Sequence, residues 1–150
     1  MALSAIERAL SLNASCATAN YFAALVNAFA DRRAVAAFHA NLALRLSPFD
    51  PSAFEAHLAL GMGAIGEANY DEAASSFAKG SQINARHSLF PFFHAIALAL
   101  GGRVGETPSL VQRGLELEPG FRIRIFSEFG MARAIAEKFA DGARLLGLPE

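Results

Sequence analysis

The sequence has a single cysteine, Cys16, no tryptophan, and only two lysines, Lys79 and Lys138. One cysteine excludes a disulfide within the chain, which fits a reducing compartment. The 13 basic and 14 acidic residues give a net charge of −1. Proteins that follow nucleic-acid backbones carry a clear basic excess, so nucleic acid is not an expected partner.

Long apolar runs are also missing from the sequence. The longest, over 89–100, is too short to cross a bilayer and contains Pro91 and His94. Near the amino terminus, Glu7 and Arg8 stand where a signal peptide has its apolar core. We therefore expect a cytoplasmic protein that does not enter a membrane.

Charged residues are scarce, at 18%, whereas hydrophobic residues make up 53% and the mean hydropathy is +0.30. In soluble proteins, about a quarter of all residues are usually charged. A chain of this length fits one domain or one stack of repeats. Because a thin stack has much surface for its length, we expect part of its apolar surface to face a partner or a second copy.

Four similar segments recur along the chain: ALSLNA, ALRLSP, GSQINA and GLELEP. Each follows a helical apolar pattern, opens with a small residue and closes with Ala or Pro. Their first residues are Ala9, Ala43, Gly80 and Gly114, at spacings of 34, 37 and 34 residues. This period predicts helix–turn–helix units that bury their apolar faces by stacking, and hence an all-α fold.

Apolar periodicity locates the individual helices. Residues 121–129 are ambiguous, because FRIRIF alternates like a strand whereas Phe121, Ile125 and Phe129 share one side of a helix. No partner strand is evident, so a helix is favoured there. The other predicted helices cover 3–12, 16–29, 33–46, 51–66, 70–83, 88–100, 105–117 and 131–146.

The middle unit resembles the tetratricopeptide (TPR) family. The residues that carry the resemblance are Leu60, Gly61, Tyr70, Ala73, Phe77 and Gly80. The third unit matches at Ala95, Leu98, Gly102, Val111, Gly114 and Pro119, and the first unit matches more loosely. The resemblance implies a TPR-like α-α superhelix with repeats over 15–49, 50–86 and 87–119. The second half of a truncated repeat precedes them at 1–14, and a capping segment follows at 120–150.

In the TPR family, the first helix of each unit lines a concave groove that receives peptides or helices. Carried over to this chain, the groove residues are Tyr21, Leu25, Asn27, Glu55, Leu58, Met62, Ile65, Leu89, Phe92 and Ile96. This surface is mainly apolar, so the resemblance implies a protein or peptide partner with an apolar or amphipathic face. The alternative is that neighbouring helices or a second copy of the chain cover these residues.

Motifs for chemistry are weak in this sequence. GMGAIG at 61–66 matches the glycine pattern of dinucleotide-binding loops, but a helical pattern precedes it where that loop requires a strand. The histidines His39, His57, His87 and His94 do not have metal-binding spacing. We assign no catalytic, cofactor or metal residues and do not expect an enzyme.

The stretch PGFRIRIFSEFG, followed by KFADGARLLGLPE, resembles the end of TPR regions that follow the catalytic domain in bacterial class III adenylate/guanylate cyclases. It implies a regulatory or assembly module, in signalling, attached to an upstream cyclase domain. Two alternatives to a protein-interaction scaffold stay open. One is a homodimerisation element, and the other is a small-ligand sensor with a cavity around Phe92, Phe93 and His94.

Overall fold

The computed structural model describes residues 2–150, with side chains from residue 4 onward, and within this range it has helices and no strand. The all-α prediction is therefore confirmed. The helices are α1 (Ala2–Leu12), α2 (Ala17–Phe29), α3 (Arg33–Leu46), α4 (Ala53–Gly66), α5 (Tyr70–Ile83), α6 (Leu89–Leu100), α7 (Pro108–Leu117), α8 (Ile125–Glu128) and α9 (Arg133–Leu145), with a 3₁₀ turn at Val104–Glu106.

Several helix boundaries differ from the prediction by one to three residues. Helix α7 begins at Pro108, three residues later than expected, because a 3₁₀ turn occupies Val104–Glu106. Helix α9 covers Arg133–Leu145 instead of 131–146. Helix α4 begins two residues later than expected, because residues 50–53 form a turn in which Asp50 Oδ1 accepts the Ser52 N–H at 2.8 Å. The ambiguous segment 121–129 contains a turn followed by the short helix α8, so the preference for helix is confirmed only over Ile125–Glu128.

The odd-numbered helices α1, α3, α5 and α7 all end in the same turn. In each, an N–H just past the helix donates to the carbonyl four residues earlier, at 2.8–3.0 Å. The accepting carbonyls belong to Ala9, Ala43, Gly80 and Gly114. These are the residues whose spacing predicted the repeat, so the sequence repeat corresponds to a structural one.

The even-numbered helices α2, α4 and α6 share a second turn. Asp31, Ala68 and Gly102 each take the left-handed conformation, with φ of 56°, 57° and 80°. The N–H of the next residue then donates to the carbonyl five residues back, at 2.8–2.9 Å, which satisfies a free carbonyl at the helix end. The three turns lie 37 and 34 residues apart, as the repeat requires.

Close helix packing depends on glycines opposite phenylalanines. The Phe77 ring of α5 occupies the space where Gly61 of α4 would carry a Cβ, and Phe90 and Gly80 are related in the same way. Helices α2 and α4 pack directly on each other, whereas α6 packs mainly on α5, α7 and α9. The stack is therefore completed at α6 by the carboxyl-terminal helix.

The glycine pattern in α4 provides a test of this packing. A Cβ at Gly61 would lie 2.7 Å from Phe77 Cδ1, whereas one at Gly63 would meet nothing within 4 Å. We expect Gly61→Ala to lower the free energy of unfolding by about 1–3 kcal/mol through overpacking. Gly63→Ala, the matched control, should raise it by about 0.5–1 kcal/mol through helix propensity. Urea denaturation measures both, and equal effects of the two variants would contradict the packing argument.

Candidate functional site: the inner face and its carboxyl-terminal strap

The candidate site is the surface of α2, α4 and α6 that contacts residues 121–150. We call this surface the inner face, and residues 121–150 the strap. The Ala132 N–H donates to the Phe29 carbonyl at the end of α2, at 2.7 Å. Farther along the strap, Gly142 lies directly against Ile96 and Leu100 of α6. Helix α9 also packs on α4, so it lies against α4 and α6, and Ala132 just before it is bound to the end of α2.

Phe139 is the central contact between the strap and the inner face. Its ring centroid lies 4.8 Å from that of Phe93 on α6, 5.3 Å from Phe126 on α8 and 6.2 Å from Phe77 on α5. Phe77, Phe93, Phe126 and Phe139 are almost fully buried. Tilted aromatic pairs of this kind add to the free energy of simple burial, so one side chain joins four helices.

The beginning of the strap covers α6. Phe121 stacks on Phe92 with ring centroids 4.0 Å apart, and Phe121 also meets Phe126 edge to face at 5.8 Å. Aromatic rings of the strap therefore fill the space around Phe92 and Phe93. This is where the sequence suggested a cavity for a small ligand.

Lys138 makes the main polar contact between α9 and the rest of the chain. Its ammonium donates to the carbonyls of Ile65 at 3.3 Å and Gly66 at 2.7 Å. Both carbonyls belong to the last turn of α4, where backbone oxygens lack helical partners and the helix dipole favours a positive charge. This contact aligns α9 with the carboxyl-terminal end of α4.

Most of the predicted groove residues are covered. Met62, Ile65, Phe92 and Ile96 have almost no exposed surface, and Leu58 is 6% exposed. Leu25, Glu55 and Leu89 are half-buried. The strap covers Phe92 and Ile96 through Phe121 and Gly142, and whether a partner binds in the groove stays a prediction.

Tyr21 and Asn27 do not line the inner face. The Tyr21 hydroxyl donates to the Ser47 carbonyl at 2.7 Å, and the Asn27 amide donates to the Ala23 carbonyl at 2.8 Å. Both side chains are buried between helices. They support the packing of the helices, which corrects their assignment to the groove.

Phe22 takes the place of Tyr21 on this side of α2. Asn20 faces α3, where its Oδ1 lies 2.7 Å from His39 Nδ1. Two residues along a helix correspond to a rotation of about 200°, so Phe22 points away from α3. Leu25 and Phe29 share that side. Of the three groove residues predicted for the first unit, only Leu25 lies on this side of α2.

Sequence reasoning also missed Phe93, Leu100 and Lys138. The signal for the first two was available, because 89, 93, 96 and 100 follow the helical spacing as well as the predicted set does. Lys138 had no such signal. Its role depends on α9 folding back onto α4, 72 residues earlier in the chain.

Glu55 is the charged group of the predicted groove. Its Oε2 atom is enclosed and has no hydrogen-bond partner among the described residues. Burial, and then the charge of Asp50, raises the pKa of the Glu55 carboxyl. Burial and the same two acids raise the pKa of the Tyr21 phenol. Folding therefore makes the Glu55 carboxyl harder to ionise.

Comparison with models of known protein families, with curated proteins and with solved structures finds no match to this chain. Across residues 2–150, no helix combines the length and apolar character needed to cross a membrane. Over the same described range, no group of three or more His, Cys, Asp or Glu side chains is arranged to hold a metal ion.

Glu55→Gln tests the electrostatics of this face. Because folding raises its pKa, the contribution of Glu55 to stability is fully present below its ordinary value of 4.5 and is lost as pH rises through the higher folded value. We expect the variant to be more stable than the wild type at pH 7, by about 1 kcal/mol. Urea unfolding from pH 4.5 to 7.5 should show the difference growing with pH. A difference no larger than that of the exposed control Glu67→Gln would refute this account.

Proposed function

We propose that this chain is a non-catalytic helical-repeat scaffold that binds another protein through its inner face. The observation that carries the proposal is the position of α9. An amphipathic helix lies against α4 and α6 and contributes a phenylalanine, a glycine and a lysine to that surface. A face that accommodates a helix of its own chain has the shape and chemistry to bind one from a partner.

The chemistry of the inner face selects the class of partner. Phe22, Leu25 and Leu89 offer apolar surface, while Glu55 is the acidic group beside it. An apolar or amphipathic helix suits this combination better than an acidic tail. The resemblance of the last segment to the TPR regions of bacterial class III cyclases suggests the setting, a regulatory or assembly module that contacts an upstream domain.

Self-association is the second candidate, and a separate observation favours it. Six of the eleven large hydrophobic side chains that are exposed among the described residues lie between residues 12 and 49. Phe49 is 97% exposed, Leu12 81% and Phe38 60%. Apolar groups concentrated in one part of a surface are typical of protein interfaces, and an identical chain is the simplest partner.

The scaffold proposal is tested with matched phenylalanine variants. Helical peptides are selected from a displayed amphipathic library on the immobilised full chain, and their affinities are measured by fluorescence anisotropy. Phe22, 45% exposed, lies on the side of α2 away from α3, whereas Phe38, 60% exposed, lies on the outer side of α3. Phe22→Ser should weaken binding about tenfold or more, as for an aromatic interface residue.

Phe38→Ser is the control for this experiment and should leave those affinities unchanged. Both variants are checked for helix content by circular dichroism. If no peptide binds saturably, or if Phe38→Ser is the variant that loses binding, the inner face is not the interaction surface.

The self-association candidate is tested by light scattering over a concentration series. Self-association predicts the mass of two chains in solution, where one chain has a mass of 15.9 kDa. The double variant Phe38→Asp/Phe49→Asp should then return the mass to that of a monomer, because each carboxylate would have to be desolvated at the interface. A wild-type mass of one chain throughout the series rejects this candidate.

A further inference from the structure

We propose that α9 is a replaceable occupant of the inner face, and that the partner is a helix carrying the same contact pattern as α9. This inference rests on the proposed scaffold function and specifies its partner. Binding would release α9 from α4 and α6, so the strap would regulate access to the face.

The charged groups of the strap other than Lys138 are mostly paired within it. Ion pairs join Arg124 to Glu128, Arg133 to Glu137, and Arg144 to both Asp141 and Glu150. The end of the strap is also bound to its beginning, because the Ile123 N–H donates to the Pro149 carbonyl at 2.8 Å. Among the described residues no ion pair joins the strap to α1–α7, so lifting α9 breaks none.

The hydrogen bonds that hold α9 to the even-numbered helices come from only two positions among the described residues. They are the Ala132 N–H to Phe29 and the Lys138 ammonium to Ile65 and Gly66. All three acceptors are backbone carbonyls, which any helix with a lysine at the equivalent position can satisfy. The polar part of this interface is thus not specific to the chain's own α9.

Glycines in the left-handed conformation flank α9 on both sides. Gly130 has φ of 71° and Gly147 has φ of 69°. Both are exposed, and neither has any atom within 4 Å of the position of an added Cβ. Glycine has low barriers to a change of backbone direction, so Gly130 and Gly147 are the two points at which α9 can turn away while Phe121 stays stacked on Phe92 and the Ile123 N–H stays bound to Pro149.

The contacts of α9 define the pattern that a partner must present. Ile135 and Phe139, four residues apart, are buried on one side of the helix, and Gly142 lies against Ile96 and Leu100. Lys138 points to the end of α4. A matching partner helix has a branched apolar residue, then Lys-Phe three residues later, then a small residue three positions after the Phe.

A free peptide must compete with the tethered α9, and this competition sets the peptide concentrations that the test requires. A segment on a short linker has an effective concentration of about millimolar. A free peptide of identical sequence should therefore displace half of α9 at about that concentration. A substitution that weakens only the binding of the tethered α9 shifts the midpoint of its displacement to lower peptide concentrations.

The experiment uses the full chain and a fluorescent peptide of residues 131–148. Hydrogen exchange of the wild type is measured with and without excess peptide. Amides of α9 should lose protection when peptide is added, while those of α4 and α6 keep it. In a Gly142→Val chain, the added side chain would collide with Ile96. The midpoint for peptide binding should then fall about tenfold or more.

Two controls accompany the measurement. Asp141→Val places the same side chain on the exposed side of α9 and should leave the midpoint close to that of the wild type. A peptide carrying Phe139→Ala should fail to displace α9. If Gly142→Val does not fold, the hydrogen-exchange comparison in the wild type still decides the question.

Three results would overturn the inference. In the first, α9 and α6 amides exchange only together, through global unfolding. In the second, the Phe139→Ala peptide displaces α9 as well as the unmodified peptide does. In the third, release of α9 produces a dimer by light scattering, which would make a second copy the occupant. If peptides from the displayed library bind near Phe22 while α9 stays protected, the scaffold proposal stands and this inference alone fails.

Discussion

Phenylalanine rings in this protein lie directly against the backbone of glycines on neighbouring helices. Phe77 meets Gly61, Phe90 meets Gly80 and Phe92 meets Gly114. Each contact brings two helix axes close and fills the space beside them with a large apolar side chain, which gives dense packing without long side chains on both helices. A similar contact between a glycine and an apolar side chain occurs in the strap, where Gly142 lies against Ile96. The spacing of successive helices and the position of α9 therefore depend on one kind of contact.

The strap shows what happens where the repeat stops. After α1, α3 and α5, the shared turn leads into an even-numbered helix, but after α7 the same turn leads to Phe121, which stacks back on Phe92. The chain then returns along the inner face and covers surface that another repeat unit would cover if the repeat continued. Apolar side chains at the inner ends of the even-numbered helices are buried in this way. Apolar side chains elsewhere in the first units, such as Phe38 of α3 and Phe49 in the loop after α3, stay exposed.

Much of the fold was predictable from local pattern. The spacing of Ala9, Ala43, Gly80 and Gly114 located the repeating turn, because a backbone turn of fixed geometry selects small residues at fixed intervals. The helix bounds followed from apolar periodicity to within about three residues, close to the usual uncertainty. The GMGAIG motif lies inside α4, as the helical pattern before it predicted. The register of α2 was not predicted, because alternation of Tyr21 and Phe22 gives no local sign of which side faces α3.

The sequence by itself determined the class of the fold, the number and order of its repeating units and the absence of an internal disulfide, because these depend on local spacing and composition. Only the tertiary structure decided whether the inner face is open. That depends on contacts such as Lys138 with Gly66 and Phe139 with Phe77, which join residues more than sixty positions apart. Local periodicity shows that α9 has an apolar side, but such a side packs against any sufficiently apolar surface. The particular surface is chosen by its shape, by Ile96 and Leu100, which lie against Gly142, and by the carbonyls at the end of α4. All of these belong to other helices, so the sequence of α9 does not express them.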